Sequence, residues 1–337
     1  MREFVISKDE QGVRLDKQLL KILNNSGSGF IYRMLRKKNI TLNDARASGS
    51  ERLKSGDVIK IYFSEDTFNR LSSEKVSKEI QDRRLPAEKY KTEKLIIYED
   101  DNFMILNKPS GLLSQKAGKD DFSLNELCIG YLMEKGLLSS ESLLMFKPSV
   151  CNRLDRNTSG IVIFACNYAA ARTINEALYQ RTIHKYYLCI VKGAIKNEGS
   201  KKGFLIKNEK TNSVVIDEKD GGEGRQIETA YRPLVYNNDN TLLEVELITG
   251  RSHQIRAQMA SIGHPLLGDN KYGDMVLNRK YHDVLKGTSQ LLHAYKLVIP
   301  EDAEGVLKAV AGTVFKAPLP KEFINMCDRL GLKYDAE

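Results

Sequence analysis

The first sixty residues alternate apolar and polar positions in a way that predicts a small module of two helices and two strands. Apolar side chains recur at helical spacing in residues 15–23 and again in residues 30–35. The polar, glycine-containing stretch 24–29 between them predicts a turn and a helix start. Two short strand-like runs follow at 40–43 and 58–63. We therefore interpret this stretch as one compact αβ domain.

The remaining chain divides into a charged segment and a long region in which strands and helices are intermixed. Residues 64–92 are polar and lack aliphatic periodicity, which predicts a linker, in part helical, between domains at 1–63 and 93–337. The second domain has no strict strand–helix–strand repeat, so its pattern favours an α+β fold over a doubly wound sheet. The predicted strands are 95–98, 103–106, 161–165, 186–191, 229–235 and 242–247, and the predicted helices are 124–135, 169–179 and 251–261.

Basic residues concentrate in the N-terminal domain. The 337-residue chain has 52 Lys and Arg against 44 Asp and Glu, a net charge of +8. Residues 1–63 contain 13 Lys and Arg against 7 Asp and Glu, an excess of six. The second predicted helix carries Arg33 and Arg36 and ends in Lys37 and Lys38. A basic helix face is often only solvated, but this concentration of charge favours a surface that binds a polyanion.

Several classes of site are disfavoured by what the sequence lacks. The longest apolar stretches, such as residues 161–166, are far shorter than the ~20 residues of a membrane helix. The N-terminus becomes polar too soon for a signal peptide, so no membrane partner is expected. The five cysteines are odd in number and none has metal-ligand spacing, so we expect a reduced, cytoplasmic protein. Phosphate-loop, HExxH and GxSxG motifs are missing, so we expect no metal and no cofactor.

Three separated polar segments carry the candidate chemistry, at residues 107–112, 152–160 and 249–269. In the second segment, Asp155 lies between two arginines, just before an apolar strand. Neighbouring cations favour the ionised carboxylate, which can act as a nucleophile or as an electrostatic stabiliser. The alternative is a structural Asp–Arg pair followed by a turn, which is the commoner outcome for this segment taken alone.

Together these segments closely resemble the RluA-type pseudouridine synthases, especially those acting on large-subunit ribosomal RNA. The family pattern H-R-L-D-x-x-T-S-G corresponds to N-R-L-D-R-N-T-S-G at residues 152–160. Further matches are K-Y-Y-L-C-I-V-K-G at 185–193, L-H-A at 292–294 and F-K-A-P-L-P at 315–320. Two positions depart from the family, because Asn152 and Gln115 stand where histidines are usual.

The resemblance implies a central mixed, mostly antiparallel β-sheet flanked by helices, and a reaction without a cofactor. Pseudouridine formation breaks the N1–C1′ bond of a uridine, turns the base and rejoins it through C5. By resemblance, Asp155 attacks the ribose at C1′ or assists formation of a glycal intermediate. A glycosidase that used the same aspartate would need a second carboxylate nearby, and the sequence offers no evident candidate.

The same resemblance assigns further residues to the site. Tyr187 would pack on the base and help proton transfer, although its neighbour Tyr186 is an alternative. Arg256 would pair with the catalytic aspartate, and Arg153 would enter the RNA stack that the target base leaves. For two other substrate-binding candidates, phosphate contact and structural hydrogen bonding are equally open; these residues are Arg251 and His253.

The N-terminal module resembles the RNA-binding domain first known from the fourth small-subunit ribosomal protein, over roughly residues 12–63. The matching features include Arg14-Leu15-Asp16 and the basic second helix. The expected RNA-binding residues are Arg14, Arg33, Arg36, Lys37 and Lys38. We therefore expect a monomeric enzyme that modifies large-subunit ribosomal RNA. Transfer RNA is the alternative substrate, and a non-catalytic RNA-binding protein of the same fold is the alternative function.

Overall fold

The computed structural model has the α+β organisation expected from the sequence. It describes residues 1–72, 90–118, 120–208, 211, 213–219, 221–222, 224–285 and 290–334. Most of the predicted linker at 64–92 therefore lies outside the described residues.

Strands and helices are numbered here in chain order. The strands are β1 Arg2–Val5, β2 Ile40–Leu42, β3 Val58–Ile61, β4 Ile96–Glu99, β5 Phe103–Lys108, β6 Ser149–Val150, β7 Ser159–Ala165, β8 His184–Lys192, β9 Gly199–Asn208, β10 Ser213–Asp217, β11 Arg225–Tyr236, β12 Asn240–Leu247, β13 Leu292–Val298 and β14 Val314–Lys316. The α-helices are α1 Leu15–Ile22, α2 Ser28–Arg36, α3 Glu65–Leu71, α4 Leu124–Glu134, α5 Ser140–Met145, α6 Tyr168–Gln180, α7 Gln254–Ser261, α8 Met275–Lys280, α9 His282–Leu285 and α10 Lys321–Leu330. Within the described ranges, no helix has the length and apolar character needed to cross a membrane.

The N-terminal strands and helices share one small apolar core. Strands β1 and β2 both pair antiparallel with β3. Leu15 and Leu19 of α1 are fully buried in this core, as their helical spacing predicts. Helix α3 lies in the stretch predicted as a linker, yet its Phe68 is buried in the same core. Burial of this aromatic side chain ties α3 to the module.

The module also packs against the second region of the chain through α5. Met145, the last residue of α5, belongs to the apolar core of the module. The buried Gln18 of α1 donates a hydrogen bond from Nε2 to the Met145 carbonyl oxygen at 3.1 Å. Lys21 Nζ lies 5.4 Å from the ring centroid of Tyr168 at the start of α6. The two regions therefore share buried surface.

In the second region, eleven described strands form one sheet, which is mostly antiparallel as expected. Its strand order is β10-β9-β11-β12-β8-β13-β7-β5-β4, with β14 on β13 and β6 on β7. Strands β13 and β7 pair in parallel. Helices α4 and α7 pack on one face of the sheet, while α6 and α10 pack on the other. The loops at the ends of β6 and β12 carry the candidate chemistry.

Candidate active site

The Asp155 loop connects β6 to β7. Leu154 is buried in the core, whereas the Asp155 side chain is 24% exposed, so the apolar anchor leaves the next residue at the surface. The Thr158 amide donates to the Asp155 carbonyl oxygen at 3.0 Å and closes the turn. At Gly160 the backbone φ is +113°, and a Cβ would lie 2.2 Å from the Ala294 carbonyl oxygen on β13. The loop re-enters the sheet at a position that only glycine fits.

The first motif segment holds the Asp155 loop by its backbone. Fully buried Lys108 donates from Nζ to three carbonyl oxygens, one of which is that of Arg156, at 3.0 Å. Ser114 Oγ accepts from the Leu154 amide and donates to the Leu154 carbonyl oxygen, each at 3.0 Å. These bonds fix the main chain on both sides of Asp155.

Lys108 has no role in the sequence-based assignment, although it lies within the first motif. Burial lowers its pKa to about 7, and the negative charge of Asp155 opposes this shift. Its three carbonyl acceptors also favour the ammonium form, which has three N–H donors. The signal that could have identified it is a single cation at the end of a strand whose first four residues are apolar.

The L-H-A match packs on the T-S-G turn. Ser159 Oγ and His293 Nδ1 are 2.8 Å apart, and His293 Nε2 lies 3.3 Å from the Ala317 carbonyl oxygen. Because a carbonyl oxygen accepts only, Nε2 donates and Nδ1 accepts from the serine hydroxyl. Burial lowers the pKa of His293 to about 4, so this imidazole is neutral. Its role is to join β7, β13 and the C-terminal segment.

Arg256, on the first turn of α7, contacts Asp155. Its NH1 atom donates to Asp155 Oδ2 at 2.8 Å. The predicted helix 251–261 begins only at Gln254, because His253 has a left-handed backbone with φ +58°. The buried Gln254 side chain donates to Thr229 Oγ1 on β11 at 2.8 Å. The start of α7 is thus fixed against the sheet, which aims Arg256 at the Asp155 loop.

A second carboxylate, Asp269, holds the other side of the guanidinium. Its Oδ2 and Oδ1 atoms accept from Arg256 Nε at 2.6 Å and NH2 at 2.9 Å, and its side chain is fully buried. Burial alone would lower the pKa of Arg256, but its bonds to Asp269 and Asp155 raise that pKa overall. Burial also opposes ionisation of Asp269, but hydrogen bonds from Arg256 and from backbone amides hold its pKa below the usual value. One charged guanidinium is therefore shared by two carboxylates.

His253 lies beside Asp155 and is held by Tyr272. Its Nε2 atom is 3.9 Å from Asp155 Oδ2, and its Nδ1 atom is 2.9 Å from the Tyr272 hydroxyl. That hydroxyl also accepts from the Val214 amide of β10 at 2.9 Å. Burial lowers the pKa of His253, although the charge of Asp155 opposes the shift. His253 therefore combines a structural hydrogen bond on one nitrogen with a second nitrogen that faces the carboxylate.

Strand alternation separates the two tyrosines of β8. Tyr187 is 5% exposed and packs in the same core as Leu154 and Ile255. Burial raises the pKa of Tyr187, and the charge of Asp155 raises it further, so the phenol stays protonated. Tyr186 faces the opposite side of the sheet, where Lys296 Nζ lies 4.1 Å from its ring centroid. Tyr187 is thus the tyrosine on the Asp155 side.

The other candidates of the second region differ in their contacts. Arg153 and Arg251 are exposed, and their side chains have no hydrogen-bond or ion-pair partner among the described residues. The side chain of Asn152 makes its hydrogen bonds to the backbone of β7. Its amide accepts from one backbone N–H of β7 at 2.8 Å and donates to a carbonyl oxygen of β7 at 3.2 Å. Gln115 is half-buried in the loop after β5.

The candidate RNA-binding cations of the N-terminal module also differ. Four are exposed and have no carboxylate partner in the part of the chain that the structure describes: Arg33, Arg36, Lys37 and Lys38. Arg14 instead binds Asp16 through Nε at 3.1 Å and NH2 at 2.9 Å. The Tyr32 hydroxyl donates to the same carboxylate at 2.8 Å. The side chain of Arg14 is still 45% exposed.

These contacts define the chemistry that the site offers. No group of three or more His, Cys, Asp or Glu among the described residues is placed to hold a metal ion. One partly exposed carboxylate lies next to a guanidinium, an imidazole and a buried tyrosine. Asp269 is buried and both its oxygens are bonded, so it is not available as a second catalytic acid. The arrangement suits nucleophilic or electrostatic action by a single carboxylate.

Comparisons with known proteins identify the family. Residues 102–261 match the family model described as RNA pseudouridylate synthase. The chain is 33% identical over 264 residues to ribosomal large subunit pseudouridine synthase C of Rickettsia felis, covering 77% of this chain and 82% of that protein. It is 30% identical over 299 residues to the protein of the same name from Haemophilus influenzae, covering 88% and 86%. The fold matches the structure of human RNA pseudouridylate synthase domain containing 4, with a TM-score of 0.59, 21% identity, and coverage of 73% of this chain and 96% of that chain. The chain therefore belongs to the RluA-type RNA pseudouridine synthases.

Proposed function

We propose that this RNA pseudouridine synthase isomerises uridines of large-subunit ribosomal RNA, with Asp155 as the reacting carboxylate. The observation that carries the proposal is the setting of the Asp155 side chain. It is held by Arg256 at 2.8 Å and yet is 24% exposed, on the same side of the sheet as Tyr187. A carboxylate that is fixed but still open to solvent is accessible to a ribose that approaches from outside.

In the proposed reaction, the target uridine leaves the RNA stack and its ribose C1′ meets Asp155. A carboxylate oxygen attacks C1′ while the N1–C1′ electron pair leaves with the base, or the carboxylate assists formation of a glycal. The base turns, and C5 bonds to C1′ as the Asp155–C1′ ester bond breaks or, on the glycal route, as C2′ regains the proton that it gave to the carboxylate. The proton on C5 is then released, and N1 takes up a proton. Tyr187 packs on the base as a protonated phenol. Arg153 fills the gap in the stack and so offsets part of the cost of base flipping.

The choice of RNA rests on the relatives and on the N-terminal module. The relatives from Rickettsia felis and Haemophilus influenzae are both named as large-subunit enzymes. We propose that residues 1–63, extended by α3, form an RNA-binding domain and that residues 93–337 form the catalytic domain. The excess of six basic residues in the module favours phosphate contacts. Transfer RNA is the alternative substrate.

Tritium release from RNA labelled at uridine C5 tests the activity and the role of Asp155. The unaltered enzyme should release tritium, and Asp155→Asn should release none while binding RNA with similar affinity, because a neutral amide does not attack. Asp239→Asn, in the exposed turn between β11 and β12, is the matched control and should behave like the unaltered enzyme. Multiple turnover by a verified Asp155→Asn protein contradicts the assignment. Free uracil among the products indicates a glycosidase instead.

Pseudouridine mapping identifies the RNA. Total RNA from a deletion strain should lack pseudouridine at one or more positions of large-subunit ribosomal RNA. Complementation with the unaltered gene should restore these positions, and complementation with Asp155→Asn should not. Loss confined to transfer RNA contradicts the proposed target but not the proposed chemistry.

A further inference from the structure

We propose that Asp269 is a positioning residue for the reaction, which acts through Arg256 and makes no contact with the RNA. The inference rests on the proposed role of Asp155. Asp269 is the last residue of the third motif segment and has no role in the sequence-based assignment. Its side chain is fully buried, so it does not meet the substrate directly.

The geometry of the guanidinium supports this role. A single hydrogen bond, from NH1 to Asp155 Oδ2 at 2.8 Å, leaves Arg256 able to rotate about that contact. The two bonds from Nε and NH2 to Asp269, at 2.6 and 2.9 Å, fix the guanidinium plane. With those donors occupied, NH1 points at Asp155. Asp269 thereby determines the direction from which the cation reaches the reacting carboxylate.

Asp269 is itself held by several independent contacts. Its Oδ1 atom accepts from the backbone amides of Lys271 and Tyr272 at 2.8 and 3.0 Å. Asn278 on α8 accepts from the Gly268 amide at 2.8 Å and donates to the Asp269 carbonyl oxygen at 3.0 Å. The loop and α8 therefore fix the carboxylate without any contribution from substrate, as a preorganised site requires.

The competing explanation is that Asp269 only stabilises the fold as one half of a buried ion pair. The chain offers a matched comparison in Glu244, which is 6% exposed on β12. Glu244 accepts from Arg232 NH2 at 3.0 Å, from the Tyr295 hydroxyl at 2.7 Å and from Lys296 Nζ at 3.0 Å. It lies on the face of the sheet opposite to Tyr187, and none of its bonds involves Arg256 or Asp155. Removing the charge of Glu244 therefore shows how a disrupted buried hydrogen-bond network affects stability and rate when Arg256 and Asp155 are not involved.

The experiment compares Asp269→Asn, Asn278→Ala and Glu244→Gln with the unaltered enzyme on one RNA. The measurements are Tm, the RNA Kd, and the single-turnover rate at saturating, folded enzyme. Asp269→Asn should lower the rate 10- to 100-fold, on the order of one hydrogen-bonding group in a preorganised site, with an RNA Kd within about threefold. Asn278→Ala should act in the same direction with a smaller effect. Glu244→Gln should lower Tm but keep the rate within about threefold of the unaltered enzyme.

A double-mutant cycle tests whether the effect passes through Arg256. In an Arg256→Lys background, the lysine ammonium does not form the two parallel hydrogen bonds that the guanidinium makes with Asp269. Adding Asp269→Asn in this background should therefore lower the single-turnover rate by less than about threefold. The proposal is overturned if the fold-loss of rate in the double variant equals the product of the fold-losses in the two single variants. An Asp269→Asn rate within threefold of the unaltered enzyme also overturns it.

Two further outcomes keep the result interpretable. Asn278→Ala leaves no buried charge unpaired, so this variant should fold. If Asp269→Asn does not fold, the rate of Asn278→Ala decides the question, and an unchanged rate overturns the proposal. Turnover by Asp155→Asn would remove the proposed function itself. An inactive Asp155→Asn protein together with fully active Asp269→Asn removes only the positioning role.

Discussion

Residues around Asp155 are held chiefly by contacts to the main chain. Lys108 and Ser114 bond to the backbone of the loop, and Asn152 bonds to the backbone of β7. Backbone contacts depend on a donor and an acceptor at the right place more than on one particular side chain. This explains how an asparagine serves at position 152 where the family usually has histidine, because an amide supplies both groups.

Arg256 gives the first prediction at this scale. Arg256→Met removes the guanidinium that donates to Asp155 Oδ2 at 2.8 Å and orients this carboxylate, so the single-turnover rate should fall by roughly 10²-fold. Arg256→Lys should be intermediate, since it restores the charge without the planar fork. A pH–rate profile of the three proteins on one RNA checks this. A profile of Arg256→Met equal to that of the unaltered enzyme would make Arg251 the next candidate partner.

Lys108 gives a prediction about stability. Its pKa in the folded protein is lowered to about 7, whereas an unfolded chain has a lysine pKa of ~10.4. Between these values the unfolded chain binds more protons, so the free energy of unfolding should rise with pH. Lys108→Met removes this contribution. Its deficit relative to the unaltered enzyme should therefore grow by up to ~2 kcal/mol from pH 7 to pH 9.

Urea unfolding at several pH values measures this difference. Lys308→Met, at an exposed lysine, is the control and should show a constant difference across the range. A constant difference for Lys108→Met as well would mean that Lys108 remains an ammonium throughout.

At the scale of elements, the parallel pairing of β7 with β13 brings separate motifs together. His293 pairs with Ser159 and Ala294 with Gly160 in the strand register. The pairing permits the Ser159–His293 hydrogen bond at 2.8 Å and the close approach of Gly160 to Ala294. Two motifs that are more than 130 residues apart therefore form one structural unit beneath the Asp155 loop.

Gly160 tests the importance of that pairing. Gly160→Ala should lower the free energy of unfolding by ~2 kcal/mol or more, because the new Cβ meets the Ala294 carbonyl oxygen and the backbone φ is +113°. Gly136→Ala is the control, with φ +72° and no heavy atom within 4 Å of the added Cβ. It carries the backbone strain without the collision. Equal losses in the two variants, measured by urea unfolding, would show that close packing at Gly160 is unimportant.

At the scale of the whole molecule, the N-terminal module is integrated with the second region. Met145 completes the apolar core of the module, and Gln18 bonds to its carbonyl oxygen. Deletion of residues 1–63 would therefore expose apolar surface on α5 and leave α3 without its core. Surface substitutions are the cleaner way to separate RNA affinity from stability.

The charge of α2 supplies the prediction at this scale. Neutralising the four exposed cations of α2 and of the two residues that follow it should weaken RNA binding and reduce the salt dependence of log Kd by up to ~3, at ~0.7 per phosphate contact. The single-turnover rate at saturating enzyme should change little, because these residues lie outside the catalytic site. The substitutions are Arg33→Gln, Arg36→Gln, Lys37→Gln and Lys38→Gln.

A control with the same change in net charge shows whether location matters. It carries four substitutions at exposed positions near the C-terminus: Lys308→Gln, Lys321→Gln, Arg329→Gln and Lys333→Gln. The salt dependence of RNA binding should change less in this control. Equal salt slopes for the two quadruple variants would contradict an RNA-binding role for α2.

Properties that depend on neighbouring residues can be predicted from the amino-acid sequence. Helical spacing predicts α1 and α2, because an amphipathic helix must bury one face wherever it packs. The motif segments, in order along the chain, indicate the family and single out Asp155. These patterns involve residues that are close together in the chain, so they can be interpreted without knowledge of the tertiary structure.

Properties that depend on residues far apart in the chain follow from the folded structure alone. The sequence named Arg256, but the bonds that orient it come from Asp269, and the supports of the Asp155 loop come from Lys108 and Ser114. The predicted linker likewise contains α3, because the core that buries Phe68 is assembled from the helices and strands of the module together with Met145. A buried polar side chain must find its hydrogen-bond partners in the folded molecule, and these partners are brought near by strand pairing rather than by sequence spacing.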